Sequence, residues 1–280
     1  MRVLITGDTH GNARWLREYI FPVAMTLQAE AIVQLGDFGA WEHTPDGVAF
    51  MDQVDIMGLN AGIPLYWLHG NHDKHSHTIK AYKRDERGFL KCREFVRYIP
   101  QGHVWDWGGV SFRSFGGAYS VDKQWRVERE RRTGKPGTLW FPEEEMTDAE
   151  MDQLLAADHS SKDIIVSHDK PFSSRPRWNR KNLPGCTPNQ LRLERALRTH
   201  EPEYWFHGHL HHFYADLVHG DAWGTVVVGL DCDDNAAEEH WKKTQAWAVA
   251  DLEDGKIDVR YGTRTFLDSE RMQDAIMALD

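Results

Sequence analysis

Five apolar runs in this chain break off, with no spacer, into Asp, Asn or His. "RVLIT" (2–6) leads into "GDTHGN" (7–12), "AIVQL" (31–35) into "GDFG" (36–39), and "IPLYWL" (63–68) into "HGNHD" (69–73). Further on, "DIIVSH" (163–168) ends at His168, and "EYWFH" (203–207) opens "HGHLHH" (207–212). Such short runs read as buried strands. Helical spacing between the first three gives a βαβαβ order, which requires a parallel sheet with right-handed crossovers. Ligands of open α/β sheets gather beyond the carboxyl ends of the strands. The breaks therefore aim Asp8, His10, Asp37, Asn71, His72, Asp73, His168, His207 and His209 at one edge.

The intervening sequence fits this scheme. A helical stretch to about Glu30 is interrupted at Pro22, which lacks an amide hydrogen. A second helix is expected over about 47–60, a third over about 143–158 with Thr147 and Glu150 spaced as a capping box, and a fourth over about 189–200. "HVWDW" (103–107) and "GVSFRSF" (109–115) around Gly108 read as a hairpin. "TVVVG" (225–229), "AWAVADL" (246–252) and "KIDVRY" (256–261) suggest an antiparallel end, and about 267–280 a terminal helix. With no repeat or linker, residues 1–280 read as a single α/β domain carrying basic loops over about 120–140 and 169–188 and a tail over about 262–280.

Composition narrows the partners. The formal charge of −10 argues against a general polyanion binder, so no stable nucleic-acid complex is expected. No stretch approaches the roughly 18 apolar residues of a membrane span, and "MRVLITGD" resembles a first strand more than a leader. A soluble, cytoplasmic protein is the expectation. Cys92, Cys186 and Cys232 are too far apart for a disulfide framework or a thiolate zinc knuckle.

Each polar break alone would pass as a turn. Together, "GDTHG", "GDFGA", "GNHD", "VSHD" and "GHLH" resemble, in order, the signature blocks of the calcineurin-like metallophosphoesterases. The resemblance implies a four-layer α/β/β/α sandwich and a centre of two divalent metal ions, Mn²⁺ foremost with Fe, Zn²⁺ or Ni²⁺ as alternatives. Carried over residue by residue, it implies that Asp8, His10 and His209 hold one ion and Asn71, His168 and His207 the other, with Asp37 between them. His72 becomes the general acid and Asp73 either its orienting carboxylate or a loop cap. His69, His75, His77, His211 and His212 match no ligand position and read as solvated loop residues.

The implied reaction is attack on phosphorus by a hydroxide shared between the metals, without a side-chain nucleophile. The second block departs from the protein phosphatases of the superfamily. Their GDxxDRG carries an Arg for the phosphate dianion, whereas "GDFGAWE" has Ala40 and Trp41. That loss leans toward a phosphodiesterase acting on a small nucleotide-like ester, with a cyclic nucleotide as one case. A broad phosphomonoesterase, a nuclease and a non-catalytic metal-binding scaffold are the alternatives. Arg175 and Arg177, in the basic loop after His168, are the expected substrate contacts. The metal identity, the departing alcohol and the oligomeric state are not legible.

Overall fold

The computed structural model describes residues 1–176, 185–233, 245–262 and 277–279. In chain order its strands and helices are β1 (Arg2–Thr6), α1 (Ala13–Trp15), a π turn (Leu16–Ile20), α2 (Phe21–Thr26), β2 (Ala31–Gln34), α3 (Pro45–Ala61), β3 (Leu65–Trp67), α4 (His75–Ala81), β4 (Leu90–Lys91) and β5 (Val96–Tyr98). They continue with β6 (Val104–Trp107), β7 (Val110–Phe115), α5 (Lys123–Thr133), α6 (Asp148–Ala157), β8 (Ile164–Ser167), α7 (Thr187–His200), β9 (Tyr204–His207), β10 (Tyr214–His219), β11 (Gly224–Gly229), β12 (Trp247–Glu253) and β13 (Lys256–Tyr261).

The strands form two mixed sheets, ordered β13-β12-β1-β2-β3-β5-β4 and β10-β11-β9-β8-β7-β6. Strands β1, β2 and β3 are parallel neighbours, as are β7, β8 and β9. Side chains alternate between faces along each strand, which gives the two sheets three apolar interfaces. Val3, Ile5, Val33, Phe112, Val166 and Phe206 meet between the sheets. Leu4 and Ile32 point the other way, to Trp15, Phe21 and Val54 of the first helical layer. Ile165 and Trp205 pack on Met151, Leu193 and Leu197 of α6 and α7. The layers are therefore α/β/β/α, and the chain has the metallophosphoesterase fold.

Local signals set the helix limits. Thr44 accepts from the Gly47 amide to start α3, and Gly62 ends it in the left-handed region. Thr147 and Glu150 form the reciprocal cap that starts α6. Pro22 falls in the first turn of α2, after the π turn, where a missing amide hydrogen costs least.

The basic segment after residue 120 is largely helical, as α5. Strands β4, β5 and β10 and the short α4 were not expected either. Most of the proposed terminal helix, about 267–280, lies outside the described residues. Among the described residues, no helix is long and apolar enough to cross a membrane.

Candidate metal centre

The carboxyl ends of β1, β2 and β3 in one sheet and of β8 and β9 in the other converge on one rim. Hydrogen bonds lock the two edges together: the His209 amide donates to Asp8 Oδ1 at 2.9 Å, and His168 Nδ1 to the Leu35 carbonyl at 2.7 Å. A Cβ on Gly208 would lie 2.1 Å from Asp8 Oδ1, and one on Gly70 would lie 2.1 Å from Asp37 Oδ1. Only glycine lets these loops pass so near the two carboxylates.

Two groups of donor atoms result. Asp8, His10 and His211 form one, Asp37, His168 and His209 the other, with the donor atoms in each group within 4.8 Å of one another. Asp37 Oδ2 looks toward both, lying 3.9 Å from His10 Nε2 and 3.5 Å from His168 Nε2. Asn71 Oδ1 is 3.1 Å from His168 Nε2. Its amide is aimed by Ser120 Oγ at 3.0 Å, and that hydroxyl donates in turn to Glu144. His10, Asp37, His209 and His211 all have positive φ, an uncommon conformation for residues other than glycine. Strain of this kind gathers where geometry is functionally constrained.

Ring orientation shows that these groups suit a cation. His10 donates its Nδ1 proton to Asp233 Oδ1 at 2.8 Å, and His168 donates its own to the Leu35 carbonyl at 2.7 Å. In the neutral rings both Nε2 lone pairs then face carboxylate oxygen. At 3.5–3.9 Å the partners are too far apart for a good hydrogen bond, and they repel unless positive charge lies between them. The field points the same way. Burial alone would lower the His168 pKa, yet Asp37 and Asp8 push it up to about 9. Burial would raise Asp37, but His72 and His168 hold it well below the usual carboxylate range. Carboxylate, amide and imidazole donors suit divalent ions such as Mn²⁺, Fe²⁺ or Zn²⁺.

The geometry departs from expectation at the last block. His207 is still strand-paired, opposite Ser167 and Gly229. Its Nδ1 donates to the Gly208 carbonyl at 2.8 Å and its Nε2 accepts from the Tyr214 hydroxyl at 2.6 Å, so neither nitrogen is open to an ion. His211, expected to be a solvated loop residue, places Nε2 3.0 Å from Asp8 Oδ2. His209 lies with Asp37 and His168 instead of with Asp8.

His72 sits on the rim, with Nε2 3.6 Å from Asp37 Oδ2. Asp73 is buried and accepts from the amides of Phe38 (3.0 Å), Gly39 (3.1 Å) and Gly70 (2.9 Å), so it braces the second and third blocks against each other. Burial and Asp37 push its pKa up while those three donors pull it down. His69 is buried against the Tyr98 hydroxyl at 2.9 Å, not solvated.

The described start of the loop after His168, residues 169–176, does not line the cavity beside His72 as expected. Lys170 is buried and ties that loop together through the carbonyls of Pro171 and Ser174. Arg175 is exposed, its amide bonded to Asp216, and it does not line the cavity beside His72. Arg177 lies outside the described residues.

The cation at the rim is Arg126 of α5, a member of the basic run over about 120–140 that sequence reasoning did not single out. It is buried, it donates to Asp122 Oδ1 at 2.8 Å, and its Nη2 is 2.9 Å from His72 Nδ1. Asp233 was missed too; it bonds both His10 and Asn12. Its place beyond the fifth break gave no strand-end signal.

The family model for calcineurin-like phosphoesterases matches residues 1–213. The chain belongs to the calcineurin-like phosphoesterases. Membership supports metal-dependent phosphoester hydrolysis and implies two divalent ions, for which the two donor groups stand ready.

A dimetal phosphatase from Danio rerio is similar in fold, with 14% identity, a TM-score of 0.58, and coverage of 94% of this chain and 96% of that one. A phosphatase from Mycoplasma pneumoniae aligns over 98% of both chains at 10% identity with a TM-score of 0.45. The likeness to the Danio rerio protein, at 14% identity, speaks to fold alone. No curated protein matches the chain.

Proposed function

We propose that this calcineurin-like phosphoesterase is a phosphodiesterase for a small, nucleotide-like ester. The observation that carries the reading is the placement of Asp37 Oδ2 between His10 and His168, which would let one carboxylate serve both ions. On this reading Asp8, His10 and His211 hold one ion, Asn71, His168 and His209 the other, and Asp37 both. Ions bound there would supply positive charge to phosphoryl oxygens and acidify water toward neutrality.

The chain's own residues do the rest. His72 sits at the mouth, where a departing oxygen would need a proton. Arg126 Nη2 touches both ring nitrogens of His72, and a guanidinium can only donate, so the ring cannot carry a proton on both while that contact holds. A phosphoryl oxygen is the better acceptor for Arg126; a bound ester would draw the guanidinium away and open the ring to a proton. Asp73 holds the two loops that carry Asp37 and His72 in register.

The diester preference rests on Ala40 and Trp41, where the protein phosphatases of the family have Asp and Arg. Arg126 favours a second reading, a phosphomonoesterase, because it brings a cation to the rim from another element. Assays in Mn²⁺ with bis-p-nitrophenyl phosphate and p-nitrophenyl phosphate decide between them. Faster turnover of the diester is expected, and the reverse order would establish the monoesterase. Asp37→Asn should abolish both activities and lower metal content; retained turnover would remove Asp37 from its shared role.

A further inference from the structure

A cavity of about 430 Å³ opens beside His72, outside the donor groups. Its apolar walls include Trp41, Leu139 and Phe141; Trp125 closes one side, and Asp122 and Arg126 supply charge. We propose that this cavity is the leaving-group subsite and that it takes a flat heteroaromatic ring, a nucleobase being the natural occupant. The inference deepens the phosphoesterase reading and rests on it.

Position comes first. His72 lines the cavity and also lies 3.6 Å from Asp37 Oδ2. An ester with phosphorus over the donor groups and its departing oxygen at His72 has this cavity ahead of it for the remainder of the alcohol. The volume falls within the range of small-molecule sites, and apolar walls with a few convergent polar groups are their usual lining.

The walls then select the shape. Trp41 is fixed: its indole Nε1 donates to the His72 carbonyl at 3.0 Å, and a Cβ on Gly11 would sit 3.2 Å from its ring. Trp125 is the opposite case, a large indole left 56% exposed on α5 at the cavity's edge. The Arg129 guanidinium lies over its ring at 5.1 Å from the centroid. The π-face of an indole stacks on planar rings with little regard to their substituents. Asp122, which already orders Arg126, places a carboxylate on the same wall for a ring N–H.

The test uses the full-length protein and adenosine as the probe, with ribose as the control that lacks a ring. Titration of the metal-free protein, followed by calorimetry, should show adenosine binding and no ribose binding. Trp125→Ala should weaken adenosine about tenfold, the loss of one stacking face, and Trp125→Phe should restore most of it. With Mn²⁺ present, the same Ala variant should raise KM for bis-p-nitrophenyl phosphate, the loss appearing in KM and not in kcat.

Adenosine binding that is absent, or equal in wild type and Trp125→Ala, overturns the subsite while hydrolysis of the diester leaves the phosphoesterase reading intact. Trp125-dependent adenosine binding without hydrolysis does the opposite: the pocket stands and the catalytic reading falls. Trp125 is exposed, so its replacement leaves the core untouched.

Discussion

Nη2 of Arg126 lies 2.9 Å from Nδ1 of His72, which joins helix α5 to the third block of the metal centre. The contact returns a cation to a rim whose second block carries none. A monoester dianion offers more charge to that guanidinium than a diester does. Arg126→Ala should therefore lower kcat/KM for p-nitrophenyl phosphate about 10- to 100-fold, the worth of a charged hydrogen bond of roughly 1.5–3 kcal/mol. Bis-p-nitrophenyl phosphate should lose less. Equal losses on the two substrates would mean that Arg126 acts on His72 alone and not on phosphate.

His72 is the second point of test. As the proton donor it matters in proportion to how poor the leaving group is. His72→Ala should slow an alkyl phosphoester about 10²- to 10⁴-fold, with a much smaller loss on an activated p-nitrophenyl ester. Steady-state rates on one ester of each kind suffice. A uniform loss would assign His72 to binding instead.

The exchange of His207 for His211 predicts a split between metal content and stability. His211→Ala removes a donor beside Asp8, and retention of Mn²⁺ on dialysis should weaken by at least about tenfold, the smallest effect expected even for an outer partner. His207→Phe keeps a ring but removes one of the two donors of the Gly208 carbonyl and the acceptor of the Tyr214 hydroxyl. It should cost roughly 1–3 kcal/mol of stability with metal content unchanged. Metal analysis and urea melts of the two variants read both halves. Metal loss in His207→Phe with full retention in His211→Ala would restore the original assignment.

The reason for that exchange is local. Residue types and strand ends marked Asp8, His10, Asp37, Asn71, His168 and His209, because a buried strand has few other uses for such groups at its end. His207 looked equivalent, yet it is the last paired residue of β9, and its ring belongs to the sheet interior. Gly208, which clears Asp8, marks the true start of the loop, so the residues beyond it reach the rim. Arg126, one of several cations in its basic run, was not singled out for another reason. Helix α5 is polar on nearly every side and has no apolar stripe to betray its period, and its seat over His72 is a tertiary fact. The layers were legible throughout, since alternation along β1 and β9 sends Val3 and Phe206 to one core and Leu4 and Trp205 to the others.

His200, the last residue of α7 and outside the five blocks, should make stability depend on pH. Its Nδ1 donates to the Ser160 carbonyl at 2.8 Å, so its Nε2 is bare and accepts from Arg113 at 2.9 Å. Burial lowers its pKa, Arg113 and Lys162 lower it further, and the Ser160 bond and Asp158 oppose them. The folded value lies below the unfolded one, near 6.5. Below about pH 6.5 the unfolded chain therefore binds the proton more readily. Stability from this group is complete above that pH and is lost as pH falls toward the folded value. His200→Gln cannot titrate. Its stability deficit relative to wild type, measured by urea unfolding, should shrink between pH 7.5 and 5.5. A constant deficit would mean that the fold does not lower the ring's pKa, and a deficit that widens on acidification would mean that the fold favours the charged ring, which the Arg113 contact forbids.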